Sequence, residues 1–172
     1  MKKIIYVLFI IGLIFLAGCS EKKKREEKAP ELGQVFDEGL TVKATRQGKP
    51  EWKMKVSKLI QKENNLKSVE GENVEIEFFG DQEKKIAEIE ADTGTANLTS
   101  NDIELNGNVI LKNISDQTTL YTEKLFYDSI KEKVYTEEEV KIEQADGIIK
   151  GRGLEADLRL KEVVLKETYG QN

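Results

Sequence analysis

The sequence predicts an all-β fold built from repeated antiparallel strand pairs. First, apolar and polar residues alternate through most of the stretch from Ile89 to Ile142, which is typical of strands with one buried face. Second, the segment Leu105–Leu111 returns as Thr136–Ile142, 31 residues later, and a weaker third copy at Gly153–Asp157 resembles Glu90–Asp92. Third, no run beyond the N-terminal apolar segment keeps the apolar spacing of a helix. Strand pairs that cannot each bury their apolar face alone are expected to stack into one continuous core.

Composition limits the classes of function. The 172 residues suggest one domain with appendages. The formal charge of −5 does not favour general binding to nucleic acid, because the phosphates would be repelled. Histidine is absent, so the sequence supplies neither a Ser-His-Asp site nor the commonest zinc ligand. The one cysteine has no partner for an intramolecular disulfide.

The N-terminus has the pattern of a bacterial lipoprotein signal. Lys2 and Lys3 precede the apolar run Ile4–Leu16, whose 13 residues span roughly 20 Å as a helix, less than the roughly 30 Å of a bilayer core. A short apolar run after lysines is typical of a secretory signal. The run ends in Leu16-Ala17-Gly18-Cys19, which resembles the lipobox of lipoproteins. This resemblance implies cleavage before Cys19 and its lipidation, with palmitate as a label; the alternative is a plain membrane anchor.

We expect four segments along the chain. They are a signal peptide over 1–18, a lipidated N-terminus with a flexible charged tether over 19–50, a β domain over 51–168, and a C-terminal tail over 169–172. The tether is expected because its first residues are charged without an apolar face. By alternation, the inward-facing residues of the domain are Trp52, Met54, Val56, Val74, Ile76, Phe78, Ile103, Leu105, Val109, Leu125, Tyr127, Val140, Ile142, Leu154 and Leu158.

Two glycine-containing segments are expected to interrupt strands. Asn106-Gly107 fits a type I′ hairpin turn, but apolar residues continue on both sides of it, which favours a bulge inside one long strand. Gly151–Gly153 is too short for a phosphate-binding loop and no helical pattern follows it, which also favours a bulge. Asp81, Asp92 and Asp128 lie near turns, but a chain with 32 acidic residues has such positions by chance. We therefore expect no enzyme, no cofactor and no metal.

The order of motifs along the domain resembles the LptC family, the membrane-anchored periplasmic bridge component of lipopolysaccharide export. The related LptA-like and OstA-like domains share the repeat, while size and motif order favour LptC. The likeness covers about residues 52–167, most of the chain beyond the signal. The residues that carry it are Trp52, Phe78-Phe79, Ala91-Asp92, Asn106-Gly107-Asn108-Val109 and the run from Leu120 to Asp128.

The resemblance implies an open β-jellyroll whose interior shelters acyl chains of lipopolysaccharide or a related glycolipid. It implies that lipid arrives from an inner-membrane ABC transporter and passes to an LptA-like periplasmic partner. The domain would then lie in the periplasm and be held at the inner membrane by the lipid on Cys19, where many family members carry an uncleaved transmembrane helix. The candidate groove residues are Trp52, Met54, Val74, Ile76, Phe78, Leu105, Val109, Leu125, Tyr127, Val140 and Leu154. The candidate partner edge is the last strand, at Val163, Val164 and Leu165.

Two other classes of function stay open at this point. The domain is alternatively a β module that recruits protein partners through its sheet edges and carries no lipid, or a lipoprotein with a structural role in the envelope. The choice between inner and outer membrane also stays open. Ser20 is not the aspartate that, in some bacteria, retains lipoproteins at the inner membrane.

Overall fold

The computed structural model describes residues 35–36, 39–60 and 67–171, and they confirm the all-β prediction. No α-helix occurs within these ranges; one 3-10 turn at Asp81–Glu83 joins two strands. The strands are β1 (Val35–Phe36), β2 (Leu40–Arg46), β3 (Lys49–Val56), β4 (Lys58–Ile60), β5 (Ser68–Phe79), β6 (Lys85–Asn97), β7 (Ile103–Asn113), β8 (Thr119–Asp128), β9 (Lys133–Gln144), β10 (Gly147–Asp157) and β11 (Val163–Gln171).

All strands form one antiparallel sheet in which neighbours in sequence are mostly neighbours in space. From β5 to β11 each strand pairs with the next, so this part is a meander of long hairpins. The other side of β5 pairs with β4 through its first half and with β3 through its second half. Strand β2 lies outside β3, and β1 lies outside β4. The first and last strands do not pair with each other in the described part of the chain, so the sheet is open.

The sheet extends beyond the domain boundaries that we expected at both ends. Strand β2 lies within the stretch 19–50 assigned to the tether and pairs with β3 across the Gln47-Gly48 turn. It was missed because its buried apolar contribution is small: of its residues only Ala44 is buried. At the other end, β11 continues through residues assigned to a tail, and Gln171 pairs with Ile149. The signal and Cys19 lie outside the described residues.

A line of bulges crosses the sheet from strand to strand. The pairing register shifts between Glu90 and Thr93, between Asn106 and Val109, and between Thr122 and Phe126. This confirms the bulge predicted at Asn106-Gly107, and a shift between Arg152 and Leu154 confirms the one predicted at Gly151–Gly153. We call this line the crease; it runs through Asn73, Asp92, Gly107, Asn108, Glu123 and Gly153, four of which have a positive φ. Bulges bend strands and increase their twist, so a row of them folds the sheet.

The sheet folds back on itself along the crease. The ring centroids of Phe78 in β5 and Tyr127 in β8 are 4.8 Å apart. In a flat sheet, strands that lie three positions apart would be about 14 Å apart. Asn113 Nδ2, at the end of β7, likewise donates to the carbonyl oxygen of Arg159, in the turn after β10, at 2.7 Å. Two half-sheets therefore lie face to face and are continuous through the crease. On the side opposite the crease, strand ends of one half-sheet meet turns of the other half-sheet. We call this side the seam.

The apolar core fills the space between the half-sheets. It gathers the inward residues of every long strand into one cluster, because successive side chains of a strand point to opposite faces. The outward residues are mainly charged and pair across neighbouring strands, as Lys53 does with Glu77 at 2.9 Å and Lys58 with Glu72 at 3.0 Å. The fold is thus the open β-jellyroll that the resemblance implies.

The repeat differs in one detail from the expected alignment. Asp157 Oδ1 accepts hydrogen bonds from the backbone N–H groups of Lys161 and Glu162, in the turn after β10. Asp128, the last residue of β8, and Asn97, the last residue of β6, likewise accept from backbone N–H groups of the turns that follow them. Asp157 therefore corresponds to Asp128 and Asn97, and its expected correspondence with Asp92, a crease residue, is wrong. The same residue types, Glu-Ala-Asp, occur at both places but at different positions of the repeat.

Two glycines with nearly the same φ allow a direct test of the packing at the crease. Gly107 has φ 77°, and an added Cβ would lie 2.5 Å from Asp92 Oδ2. Gly48 has φ 80° with open space around it. We expect Gly48→Ala to lower the free energy of unfolding by about 1 kcal/mol, from left-handed strain alone. Gly107→Ala should cost about 1–3 kcal/mol more, because Asp92 must move. Urea unfolding measures both, and equal costs would show that the Asp92 contact does not hold the crease.

Candidate functional site

The potential metal ligands of the described residues do not gather in one place. Within 35–36, 39–60 and 67–171, no three His, Cys, Asp or Glu side chains are placed to hold a metal ion. Asp92 and Asp128 have structural partners: Asp92 Oδ2 accepts from Asn108 Nδ2 at 2.8 Å, and Asp128 Oδ1 accepts from the backbone of Lys131 at 2.9 Å. Among the same residues, no helix is both long and apolar enough to span a bilayer.

The eleven candidate groove residues all lie on the inner face, between the half-sheets. Each is at most 4% exposed, so in this state they pack against one another as a closed core. They form one continuous apolar cluster that extends from β3 to β10. The set consists of Trp52, Met54, Val74, Ile76, Phe78, Leu105, Val109, Leu125, Tyr127, Val140 and Leu154.

Two of these residues also border an opening at the crease. Val109 and Val140 line a groove of about 480 Å³ whose other walls include Tyr121, Lys141 and Tyr169. The groove begins at the bulged residues, where the strands are least regular. Its walls are partly charged, so it differs in chemistry from the apolar interior behind it.

A buried carboxylate closes one part of the seam. Glu51 in β3 would point outward with Lys53 and Lys55 by simple alternation. A register shift in the β2–β3 pair, between Ala44 and Thr45, instead turns it inward beside Trp52. Glu51 is only 9% exposed. This buried charge needs hydrogen-bond partners, because an unpaired one would be strongly destabilising.

Glu51 finds its partners on both sides of the seam. Its Oε1 accepts from Arg46 Nη2 at 2.7 Å, within the β2–β3 hairpin, and from the Tyr127 hydroxyl at 3.0 Å, at the end of β8. Its Oε2 accepts from Asn101 Nδ2 at 3.1 Å, in the turn between β6 and β7. Burial, followed by the nearby Glu51 carboxylate, raises the pKa of Tyr127, so the phenol stays a donor. We call Arg46, Glu51, Asn101 and Tyr127 the Glu51 cluster.

Further side-chain contacts support this cluster at the seam. Arg46 also donates to Glu132 Oε1 at 2.8 Å and to the Ser129 carbonyl oxygen. Its hydrogen bond to Glu51 raises the pKa of the Arg46 guanidinium, so the cation is firmly retained. Trp52 Nε1 donates to the Asn101 carbonyl oxygen at 3.2 Å. These bonds join the β2–β3 hairpin to turns that lie far along the chain.

Sequence reasoning missed the Glu51 cluster. Its structural cause is a bulge: Glu51 and Trp52 are adjacent in sequence and both buried, which a regular strand does not allow. The alternation of apolar and polar residues does not predict this bulge. Pro50 precedes Glu51 and interrupts the ladder hydrogen bonds, which is the one hint that the sequence contains.

The last strand presents the candidate partner edge. β11 pairs with β10 on one side and with no other described strand. Val163 and Leu165 pack partly against the core, while Val164 is 66% exposed. The Asp157 N–H donates to the Glu162 carbonyl oxygen at 3.2 Å. Since antiparallel hydrogen bonds alternate, we infer that the Val164 N–H faces β10 and that the N–H groups of Val163 and Leu165 face the free side.

Comparison with known proteins identifies a family match. A search of curated proteins returned no significant relative. The family model described as "Lipopolysaccharide-assembly, LptC-related" matches residues 4–169, nearly the whole chain, in agreement with the folded-back antiparallel sheet and its apolar interior. The chain therefore belongs to the LptC-related family of lipopolysaccharide-assembly proteins.

Proposed function

We propose that this protein is a membrane-anchored periplasmic bridge for lipopolysaccharide or a related glycolipid. It receives lipid from an inner-membrane ABC transporter and passes it to an LptA-like partner. Membership in the LptC-related family implies a part in lipopolysaccharide export. The observation that carries the proposal is the continuous apolar interior between two half-sheets, which are joined by strands only through the crease.

Lipid carriage would replace contacts between core side chains with contacts between those side chains and an acyl chain. Separating the half-sheets along the seam would expose core side chains such as Phe78 and Leu125, which are now buried. An acyl chain in the opened space would cover them again. Each buried methylene contributes about 0.8 kcal/mol, so about ten methylenes contribute about 8 kcal/mol. The interior can therefore hold and release a lipid tail without a catalytic group.

Lipid in the interior can be detected with a minimal chemical change at Met54. The chain has two methionines, Met1 and Met54, and Met54 lies in the core. Photo-methionine, which carries a small diazirine, should therefore label the interior when cells incorporate it. We expect irradiation to crosslink Met54 to lipopolysaccharide in cells with an active export pathway, because acyl chains pass within contact of β3. The adduct is detected by a mass shift that anti-lipopolysaccharide antibody recognises.

The matched control moves the label by one residue. In the double variant Met54→Leu, Lys55→Met, the core keeps an apolar side chain of similar volume and the label lies on the exposed outer face. We expect no adduct from this variant. Equal capture from both proteins would mean that the label reports membrane proximity, and the carriage of lipid in the interior would be rejected.

We propose that Cys19 carries the lipid that anchors the protein. Cys19→Ser removes the only thiol in the chain, so the precursor should keep its signal and gain no acyl label. Metabolic labelling with palmitate, read together with the electrophoretic mobility of the protein, measures both effects. A Ser20→Ala variant, altered at the next residue, should be labelled as wild type. Palmitate persisting on Cys19→Ser would exclude this anchor.

We propose that the β11 edge docks the LptA-like partner by adding a strand to the sheet. An edge strand offers unpaired N–H and C=O groups to such a partner. Val163→Pro removes an N–H that we place on the free side, and the proline ring also obstructs an approaching strand. We expect the dissociation constant of the partner to rise roughly tenfold, because the complex loses about one hydrogen bond and gains a steric clash. A pull-down titration with the LptA-like protein measures the affinity.

Val164→Pro is the control for that experiment. It removes the N–H that we place toward β10, so it should lower the thermal unfolding midpoint as an internal ladder defect does. If Val163→Pro keeps the wild-type midpoint and the wild-type affinity, the partner docks elsewhere. If the LptA-like partner binds strongly but Met54 captures no lipid, the alternative function is favoured, which is a module that recruits protein partners. The closed interior supports this alternative.

A further inference from the structure

The seam is closed in two chemically different ways. Near the turn between β10 and β11, buried apolar side chains such as Leu158 and Leu160 close the core. Near the β2–β3 hairpin, the closure is the Glu51 cluster, a buried carboxylate with three side-chain donors. The cluster combines groups from the hairpin, the β6–β7 turn and the end of β8. Its hydrogen bonds therefore hold together parts of the chain that separate if the seam opens.

A charged closure is a poor choice if stability alone matters. Replacement of a buried ion pair by well-packed apolar side chains of similar volume is often neutral or stabilising. The β2–β3 bulge places Glu51 inward, although alternation would have left this carboxylate in water. Polar closure has a different advantage. When it opens, water satisfies each separated donor and acceptor, whereas an opened apolar closure leaves its surface exposed to water.

Water already reaches this part of the seam from outside. Arg46 is 37% exposed, and its second carboxylate partner, Glu132, is 67% exposed. The cluster therefore has a solvated end, at Arg46 and Glu132, and a buried end, at Tyr127 against Phe78. Tyr127 links the two, because its ring is part of the candidate groove and its hydroxyl bonds Glu51. Displacement of the ring by an acyl chain would break the hydrogen bond that closes the seam.

We propose that the Glu51 cluster is a latch that keeps the seam closed between lipid transfers and that releases when an acyl chain displaces Tyr127. This inference rests on the proposed carriage of lipid in the interior. Tyr127, Glu51 and Asn101 are positioning residues in this scheme: they set how often the seam opens. An acyl chain binds the open state, so its apparent affinity scales with the fraction of molecules that are open. A weakened latch therefore accelerates and tightens lipid uptake.

The only tryptophan reports on the seam directly. Trp52 is fully buried, and its indole N–H donates to Asn101 within the latch region. Quenching of its fluorescence by acrylamide therefore measures opening in the absence of lipid. The experiment compares full-length protein in detergent micelles with Tyr127→Phe, which loses only a hydroxyl, and with Glu51→Gln, which loses the charge. Tyr121→Phe is the matched control, because it removes a hydroxyl of β8 that bonds Glu143 away from the seam.

The second measurement is lipid uptake by the same proteins. Each is labelled with photo-methionine at Met54 and mixed with lipopolysaccharide micelles, and irradiation at successive times gives the rate of capture. We expect Tyr127→Phe and Glu51→Gln to raise both the quenching constant and the capture rate, by roughly fivefold to tenfold, the equivalent of about one hydrogen bond. Tyr121→Phe should change neither. Thermal unfolding of each variant identifies any that has lost the fold.

The outcomes separate this inference from the proposed function. Unchanged quenching in two folded variants overturns the latch, while capture by wild type still supports lipid carriage. Raised quenching with unchanged or reduced capture shows that the cluster only holds the fold, which also overturns the latch as a gate. If the wild-type protein captures no lipid, the proposed function is overturned, and with it the role of the latch in lipid uptake. Raised quenching in the two variants would then still support a latch that holds the seam closed.

Discussion

The burial of one face of a single sheet against itself is the constraint on which this structure depends. An antiparallel sheet with one apolar face must cover that face. Here the cover is the other half of the same strands, and the row of bulges at the crease makes the fold-back possible. The crease needs residues that accept a left-handed backbone, which is why Asn73, Gly107, Asn108 and Gly153 occur along it. Packing, curvature and the position of the seam all follow from this row.

The sequence predicted the parts of the fold that a periodic pattern encodes. Alternation identified the inner face of the long strands, and Ile76, Leu105 and Leu125 are buried as expected. Alternation did not identify β2, because only Ala44 of this strand is buried and the strand therefore has almost no apolar pattern. The bulge at Asn106-Gly107 was predictable because apolar residues continue on both sides of it.

The candidate site was predictable only in part, for a physical reason. A packed core and a lipid groove use the same side chains, so the letters identify the lining without showing whether it is open or closed. Glu51 escaped prediction because a bulge reverses its direction, and a bulge depends on how two strands pair rather than on local residues. The contacts of Glu51 with Tyr127 and Asn101 join segments that are 50 or more residues apart, beyond any local pattern.

The direction of the strands sets how such a molecule grows. Strands β5 to β10 run side by side across the crease, so an added hairpin of this kind would lengthen the interior along the direction in which the strands stack. Two strands add about 10 Å of length. The apolar interior would therefore lengthen with each added hairpin, and a neighbouring domain that paired with β11 would continue it. Domains of this architecture that joined edge to edge would form one continuous apolar interior, whose total length is set by the number of strands.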